Sequence, residues 1–226
     1  MSSVGPNQEF FNLLKHYYYE SDLAHSDAGG PYKDTLIGQF VPSPLLHVHM
    51  ALTYLVENGL INASGLLLDA GSGDGRIVAL ASFAHGIPTV GVEYDAELVE
   101  SSIRHIKALR GLGIHGPSES MLLGDFTDPA IYKQSGIVFE NFSTIFNYIN
   151  NESSIAAKIA EESPSGTKFI LLGAFPLMEY HGLTLECNLQ LATRNISSSR
   201  VQFANLPISD DMEIDPTHTY MQVYRK

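Results

Sequence analysis

One glycine-rich stretch constrains the fold of this chain more than any other part of it. Residues 66–76 read Leu-Leu-Leu-Asp-Ala-Gly-Ser-Gly-Asp-Gly-Arg, which predicts a buried strand running into a tight turn that opens a helix. Gly71, Gly73 and Gly75 permit backbone dihedral angles that other residues avoid, and they allow close approach to a ligand. The free N–H groups of the following helix would point towards that ligand. The stretch therefore predicts a site for a nucleotide-like cofactor.

The spacing of the glycines narrows the type of cofactor. A dinucleotide-binding turn is G-x-G-x-x-G, and counted from Gly71 it requires a glycine where the chain has Arg76. The phosphate-binding pattern G-x-x-x-x-G-K-[ST] is absent as well. Asp69, Asp74 and the later Glu93 are offset only by Arg76, and this negative field disfavours a polyphosphate. The pattern favours a cofactor with a cationic centre, a free amino group and no phosphate, such as S-adenosylmethionine.

Two segments resemble the first two motifs of class I S-adenosylmethionine-dependent methyltransferases. Residues 66–77, with the pattern D-x-G-x-G-x-G beginning at Asp69, are similar to the first motif. Residues 89–95, Thr-Val-Gly-Val-Glu-Tyr-Asp, are similar to the second strand, whose acidic end holds the ribose hydroxyls in that family. Glu93 stands at that place, at a distance from Gly73 that suits a strand–helix–strand unit.

Two further segments continue the resemblance in the same order, over roughly residues 40–175. Residues 121–128 are similar to the third strand, and the resemblance places Asp125 at the adenine amino group and Phe126 on the adenine ring face. Residues 143–150 are similar to the fourth strand, whose end faces the transferred methyl group. The resemblance implies S-adenosylmethionine as the cofactor, with a site that includes Asp69, Ala70, Gly71, Ser72, Gly73, Asp74, Gly75, Glu93, Tyr94, Gly124, Asp125, Phe126 and Asn147.

The segment before the first predicted helix of the cofactor domain extends the resemblance to the methyl acceptor. Residues 38–44, Gly-Gln-Phe-Val-Pro-Ser-Pro, resemble the V-P-T/S-P stretch of archaeal protein-lysine methyltransferases and their mitochondrial relatives. In that family the stretch closes over the methyl end of the cofactor, which implies this role for Phe40, Pro42 and Ser43. The alternative is a helix cap alone, with Ser43 at the cap and Pro44 in the first helical position.

Candidate catalytic residues follow the fourth strand. Methyl transfer is a direct displacement that depends on alignment and exclusion of water, so it requires no catalytic triad. Asn147 and Tyr148 offer an amide oxygen and a phenol that can orient an amine. Residues 147–150, Asn-Tyr-Ile-Asn, resemble the N-P-P-Y motif of amide and amino-base methyltransferases only loosely, because both prolines are missing. The alternative is a polar strand end on which Tyr148 packs.

Other functions stay open beside methylation of protein lysine. The acceptor can instead be a small molecule, and the chain can be a non-catalytic cofactor-binding subunit. Aminopropyl transfer uses a related fold and a similar glycine turn. That reaction usually places an acidic residue at the end of strand four, where this chain reads Phe-Asn-Tyr, so the sequence disfavours it.

Strands and helices alternate through most of the chain, which predicts an α/β fold with a doubly wound, mostly parallel sheet. The resemblance implies the seven-stranded, Rossmann-like methyltransferase form of that sheet with a C-terminal antiparallel hairpin. The predicted parallel strands are 66–70, 89–93, 120–124, 142–147 and 168–172, with helices near 74–84, 95–110, 129–135 and 152–162. Apolar and polar residues alternate over 183–193 and 217–226, which predicts the hairpin, and 205–216 is predicted to be a loop.

The chain is predicted to comprise an N-terminal helical extension or lid over residues 1–42 and an S-adenosylmethionine-binding domain over residues 43–226. Within the extension, Phe11, Leu14 and Tyr18 fall near one face of a helix. Packing is the first interpretation of this face, and a substrate wall is the alternative.

The charge of the chain bears on its partners. It carries 25 acidic and 13 basic residues, a formal net charge of −12. Nucleic-acid binding depends on neutralisation of phosphates by Lys and Arg, so we expect no nucleic-acid substrate. A cationic partner such as a lysine-rich protein surface suits this charge. The sequence leaves the oligomeric state open.

The remaining composition predicts a cytoplasmic protein without a metal or a membrane span. Cys187 is the single cysteine, so an internal disulfide is excluded and a reducing compartment is expected. Neither a signal peptide nor an apolar run long enough to cross a bilayer is recognisable. His47 and His49 would point to different faces of a helix, so we expect no metal site there.

Overall fold

The computed structural model describes residues 7–26, 32–35, 38–148, 151–173, 177–192, 202–205 and 219–226. Its helices are α1 (Gln8–Ser26), α2 (Leu45–Glu57), α3 (Arg76–Ala79), α4 (Ala96–Gly111), α5 (Pro129–Gln134) and α6 (Glu152–Glu162). Its strands are β1 (Lys33–Thr35), β2 (Gly38–Phe40), β3 (Leu66–Ala70), β4 (Thr89–Glu93), β5 (Glu119–Leu123), β6 (Phe142–Tyr148), β7 (Lys168–Gly173), β8 (Thr184–Ala192), β9 (Gln202–Asn205) and β10 (Thr219–Arg225).

The main sheet confirms the predicted doubly wound α/β fold. Its strand order is β5-β4-β3-β6-β7-β10-β8-β9, and β3 to β7 are mutually parallel. The chain winds outward from β3 in one direction through β4 and β5, and in the other through β6 and β7. β10 then inserts between β7 and β8, antiparallel to both. The strand order reverses at β3, and ligands of open α/β sheets bind beyond the carboxyl ends of the strands at such a point.

The C-terminal part of the sheet contains one strand more than the sequence predicts. β9 pairs with β8 in antiparallel register, with Asn205 opposite Leu189 and Gln202 opposite Ala192. Asn205 was expected to open a loop, and it instead ends this edge strand. The remainder of the predicted loop, 206–216, and the first two residues of the predicted last strand, 217–218, lie outside the described residues.

The N-terminal helix belongs to the main hydrophobic core. The predicted packing face of α1 is confirmed, because Phe11, Leu14 and Tyr18 are buried in one cluster with residues of α2 and α3. Burial of each such side chain contributes roughly 1.5–3 kcal/mol to folding. A second cluster packs α5 and α6 against the opposite face of the sheet. The division of the chain at residue 42 stays a prediction, but α1 shares its core with the cofactor domain.

The start of α2 differs by one residue from the predicted cap. Pro44 is the N-cap residue and α2 begins at Leu45, whereas Ser43 was expected at the cap and Pro44 in the first helical position. The reason is the backbone of Pro44, whose ψ of 105° is extended and not helical. Proline offers no side-chain acceptor, so this helix end lacks a side-chain cap.

The helix after the glycine turn is irregular. α3 is a single α-helical turn, and the chain continues as a π-helical turn over Leu80–Ala84. These two turns confirm the helix expected near 74–84, with a later start at Arg76. All of their residues are buried. Among the helices that the structure describes, none has the length and apolar character that a bilayer crossing requires.

Candidate cofactor-binding site

Two adjoining cavities lie where the carboxyl ends of β3, β4, β5 and β6 meet, at the switch point of the sheet. Their volumes are about 250 and 240 Å³. They have three lining residues in common, Gly71, Glu93 and Asn151, so the two cavities lie side by side around the glycine turn. A ligand that spans both would pass directly over Glu93.

The first cavity lies between the glycine turn and the β1–β2 hairpin. Its wall comprises Thr35, Gly38, Gln39, Phe40, Val41, Ser43, Gly71, Ser72, Gly73, Asp74, Arg76, Ile77, Glu93, Leu98, Tyr148 and Asn151. Lys33 in β1 fastens the hairpin to the start of α4, because its Nζ donates to Asp95 and to Glu97 at 2.8 Å each. Strands β1 and β2 therefore form one side of the cavity and are linked to α4 through Lys33.

The second cavity is lined by the residues predicted to contact the adenine and the ribose. Its wall comprises Gly71, Glu93, Tyr94, Gly124, Asp125, Phe126, Thr127, Asn151 and Ser154. Asp125 accepts hydrogen bonds from the backbone N–H and the hydroxyl of Thr127 through Oδ1, at 2.8 and 2.7 Å. These bonds fix the orientation of the Asp125 carboxylate at the cavity wall.

Glu93 is the central acidic residue of the site. Its Oε2 accepts from the backbone N–H of Gly73 at 2.9 Å, and its Oε1 accepts from the N–H of Asp95 at 2.9 Å. The carboxylate is buried, yet it lines both cavities. A carboxylate has about four acceptor positions, so both oxygens retain capacity for ligand hydroxyl groups.

The glycine turn has the conformation that its sequence predicts. Gly73 has a φ of +53°, and a Cβ placed on it would lie 2.4 Å from a ring carbon of Phe40. Gly75 has a φ of +78° and is the N-cap residue of α3. Only glycine allows the Phe40 ring to lie against the main chain at position 73.

Replacement of Gly73 by alanine is expected to destabilise the protein and to weaken ligand binding. Left-handed backbone costs an L-residue about 1–2 kcal/mol, and displacement of Phe40 adds to that cost. Gly86→Ala is the matched control, since Gly86 has a φ of +68° and open space around its Cβ position. Urea unfolding and S-adenosylhomocysteine titration of both variants separate strain from contact. Equal binding by the two variants would contradict a role for the Gly73–Phe40 contact.

Polar atoms without hydrogen-bond partners lie buried beneath the turn. Neither carboxylate oxygen of Asp69 has a partner among the described residues, and neither does Oγ of Ser72. Burial, together with the negative charges of Glu93 and Asp74, raises the pKa of the Asp69 carboxyl well above its usual range. Such a carboxyl becomes favourably ionised when a cation enters its surroundings, which fits a ligand that carries an ammonium or sulfonium group.

The predicted residues of the acceptor end occupy different places. Phe40, Ser43 and Tyr148 line the first cavity, and Pro42 does not. Burial raises the pKa of the Tyr148 phenol, and the nearby Tyr32 adds to the effect. Asn147 lines neither cavity; it is fully buried and its amide donates to the carbonyl of Ala70 at 2.7 Å. The catalytic role of Asn147 stays a prediction, and in this structure its amide links the ends of β6 and β3.

Other predicted residues support the site without lining it. Asp69 and Ala70 lie buried at the end of β3, and Gly75 packs so closely that a Cβ would lie 2.7 Å from Cβ of Ser102.

The lining residues that the sequence analysis missed include Thr35, Gln39, Leu98, Thr127, Asn151 and Ser154. Their neighbours in sequence carry the motifs, but no spacing rule places these particular side chains in a cavity.

The two histidines of α2 have separate partners. Nδ1 of His47 lies 3.0 Å from the hydroxyl of Thr219, and Nδ1 of His49 lies 2.9 Å from Nε2 of His85. Within the described ranges, no three side chains of His, Cys, Asp or Glu come together as a metal-binding group.

Comparisons with known proteins support the fold. No protein-family model and no curated protein matches this chain. Among solved structures, MtNAS in complex with S-adenosylmethionine superposes with a TM-score of 0.54 at 15% identity, covering 80% of this chain and 62% of that one. A structure from work on the conversion of a disulfide bond into a thioacetal group during echinomycin biosynthesis gives 0.52 at 15% identity, covering 92% of both chains. An RNA methyltransferase from Salinibacter ruber in complex with S-adenosyl-L-homocysteine gives 0.49 at 18% identity, covering 82% of this chain and 93% of that one.

These likenesses extend to the architecture and not to the acceptor. At identities below one fifth they show a shared Rossmann-like α/β fold, in agreement with the expectation from the sequence. The chain spans under two thirds of the length of MtNAS. The resemblance to archaeal protein-lysine methyltransferases rests on the sequence motifs alone.

Proposed function

We propose that this protein is a methyltransferase that uses S-adenosylmethionine. The observation that carries the proposal is the placement of Glu93 between two adjoining cavities, directly against the glycine turn. Glu93 thereby lies at the boundary between the second cavity, whose polar wall suits an adenosine, and the first cavity, whose wall includes Asp74. The fold agrees with it, and the unpartnered Asp69 and Ser72 atoms beneath the turn fit a cationic ligand.

The residues present suit each part of this cofactor. Glu93 would accept from the ribose hydroxyls, and Asp125 and Phe126 would hold the adenine. The turn from Gly71 to Gly73 would receive the methionine end, above the buried carboxyl of Asp69. When bound, S-adenosylmethionine supplies a methyl group on a positively charged sulfur. The chain aligns the reacting groups and excludes water. Phe40 and Tyr148, which line the first cavity, are the side chains proposed for this role.

The charge of the cavities favours a neutral or cationic acceptor. Arg76 is the sole basic side chain among the described residues that line them, and Asp22 and Asp74 pair with its guanidinium. The walls also include Asp74, Glu93 and Asp125. An anionic acceptor would find no available counter-charge there. A lysine side chain arrives protonated and must release that proton to solvent before its nitrogen can attack the methyl group. A nearby sulfonium and a dry pocket lower the pKa of the lysine and favour this release.

Within this class we propose N-methylation of lysine side chains in proteins. The V-P-S-P stretch at residues 41–44 supports it, since Phe40 and Ser43 line the first cavity beside Tyr148. The net charge of −12 supports a basic protein partner over a nucleic acid. A cytoplasmic location remains a prediction from composition. A small-molecule acceptor and a non-catalytic subunit are the alternatives that the experiment must separate.

Two measurements test the proposal. Calorimetric titration with S-adenosylhomocysteine tests the cofactor site, and absence of binding at about 1 mM ligand would exclude it. Incubation with methyl-labelled S-adenosylmethionine and cell lysate then tests the acceptor. Label in protein that survives hydrolysis as methyl-lysine supports the lysine proposal. Label confined to low-mass products assigns a small-molecule acceptor, and cofactor binding without any transfer assigns a non-catalytic subunit.

Removal of the Tyr148 hydroxyl is expected to slow methyl transfer without loss of cofactor. Tyr148→Phe keeps the half-buried ring and deletes the group that can orient an acceptor. We expect kcat to fall about tenfold, with KM for S-adenosylmethionine unchanged. Tyr19→Phe is the matched control, because Tyr19 is an exposed tyrosine of α1. A parallel rise in the cofactor KM would show that Tyr148 contacts the cofactor instead.

A further inference from the structure

The Arg76 side chain joins the glycine turn to the N-terminal helix. Arg76 is the first residue of α3, and its side chain is almost fully buried. Its Nε and Nη2 donate to the Asp74 carboxylate at 3.0 and 2.7 Å. Its Nη1 and Nη2 donate to the Asp22 carboxylate of α1 at 3.3 and 2.8 Å. One buried cation therefore bridges two carboxylates that lie far apart in the sequence.

Aromatic side chains enclose this bridge. The guanidinium carbon of Arg76 lies 5.1 Å from the ring centre of Tyr18, which precedes Asp22 by one helical turn. His105 of α4 packs edge-on against Tyr18 at 5.2 Å, and its Nδ1 lies 3.2 Å from the carbonyl oxygen of Asp74. Because α1, the turn and α4 all contact this cluster, the position of α1 is coupled to the shape of the turn.

The bridge also determines where the positive charge of Arg76 lies. Both oxygens of Glu93 accept from backbone N–H groups, and the oxygens of Asp69 have no partner among the described residues. Arg76 itself lines the first cavity, where Asp74 and Asp22 together neutralise its charge. Removal of the Asp22 charge would leave the positive charge of Arg76 less neutralised at the cavity wall. A less neutralised guanidinium there would repel a cationic cofactor.

We propose that Asp22 is a positioning residue for the cofactor site. It holds Arg76 against Asp74 and neutralises part of its charge, so α1 contributes to the site as well as to the packing of the core. The inference rests on the proposed binding of S-adenosylmethionine. It assigns to the N-terminal helix a contribution to cofactor affinity that acts through Arg76.

Removal of the Asp22 charge is the direct test. Asp22 is partly exposed, so Asp22→Asn preserves the shape of a surface position while it removes the counter-charge. We expect the Kd for S-adenosylhomocysteine to rise roughly tenfold, within the range found for residues that act through a contact network. Asp22→Glu, which restores the carboxylate, is expected to recover most of the affinity. Glu20→Gln, an exposed acid on the same helix, is the matched control and should bind as the wild type does.

Hydrogen exchange supplies a readout that a simple packing role would not change. The N–H groups of Gly71, Gly73 and Gly75 are all hydrogen-bonded in the turn. In folded Asp22→Asn without ligand, we expect these amides to exchange faster while those of β7 stay unchanged. Should Asp22→Asn not fold, Asp22→Ser carries the same expectations.

The outcomes are distinct for the two proposals. If the wild type fails to bind S-adenosylhomocysteine, the proposed function is overturned. If the wild type binds and Asp22→Asn binds equally well, the role of Asp22 alone is overturned, even when the variant unfolds at a lower temperature. The proposal is supported if Asp22→Asn has a higher Kd and faster amide exchange at the turn, and if Asp22→Glu recovers the affinity.

Discussion

Replacing Glu93 by glutamine should lower the affinity for S-adenosylhomocysteine about 100-fold or more. A hydrogen bond to a charged group contributes about 1.5–3 kcal/mol, and a loss near 2.7 kcal/mol corresponds to a hundredfold change in Kd. Glutamine has one acceptor oxygen, whereas Glu93 accepts from Gly73 and Asp95 through separate oxygens. The amide NH2 would therefore face a backbone N–H group in the variant. The loss combines a weaker ribose contact with a distorted turn.

Calorimetry on three proteins measures this effect. Glu100→Gln serves as the control, because Glu100 is an exposed glutamate of α4 that forms a surface ion pair with Arg104. Glu93→Asp keeps the charge on a shorter side chain and should bind between the wild type and Glu93→Gln. Circular dichroism at the titration temperature establishes that each variant is folded. Binding by Glu93→Gln within about threefold of the wild type would remove Glu93 from the cofactor site.

The parallel sheet could be predicted because its signals are local. Each of β3, β4, β6 and β7 is a short apolar run bounded by turn residues, and the predicted bounds agree within one residue. β9 gave no such signal, since it is four residues long and forms only by pairing with β8. β1 and β2 are shorter still, with three residues each. Strands of three or four residues are too short to show a recognisable alternation of apolar and polar residues, so local patterns do not reveal them.

The candidate site was predictable where its residues belong to recognisable sequence motifs. Gly73 and Glu93 belong to recognisable segments, and the strand–helix–strand geometry brings them together. The bridge from Arg76 to Asp22 joins residues that are distant in the chain, and no spacing rule connects them. At the end of β6 the sequence could not tell which of two successive side chains faces the cavity. Successive side chains of a strand point to opposite faces of the sheet, so Tyr148 lines the cavity and Asn147 is buried on the other face.

A buried histidine pair is expected to make the protein sensitive to mild acid. Nδ1 of His49 lies 2.9 Å from Nε2 of His85, and the ring of Phe11 stacks on His49 at 3.9 Å. One hydrogen bond between two ring nitrogens requires a neutral acceptor. Burial lowers the pKa of His49 to about 4, and burial together with His49 lowers the pKa of His85 to about 3. Protonation of both rings would therefore break this bond between α2 and the end of the π-helical turn.

The sign of the pH effect follows from these directions. In the unfolded chain each histidine titrates near its ordinary pKa of about 6.5, so below that pH the unfolded state binds more protons. The stabilisation is complete above about pH 6.5 and is lost as the pH falls towards the folded-state values. At pH 5 the loss amounts to about 2 kcal/mol for each histidine, since one pKa unit corresponds to about 1.4 kcal/mol.

Urea unfolding at pH 7.5 and pH 5 measures this loss, and variants isolate its source. His85→Gln removes one titrating ring from the pair, so its stability should fall by about 2 kcal/mol less than that of the wild type between the two pH values. His16→Gln is the control, because His16 is exposed on α1 and should leave the pH dependence unchanged. Carboxylates contribute equally to all three proteins, so a difference between variants in the stability lost from pH 7.5 to pH 5 comes from the histidine pair. An equal loss of stability in the wild type and in His85→Gln would show that the buried rings do not limit stability in acid.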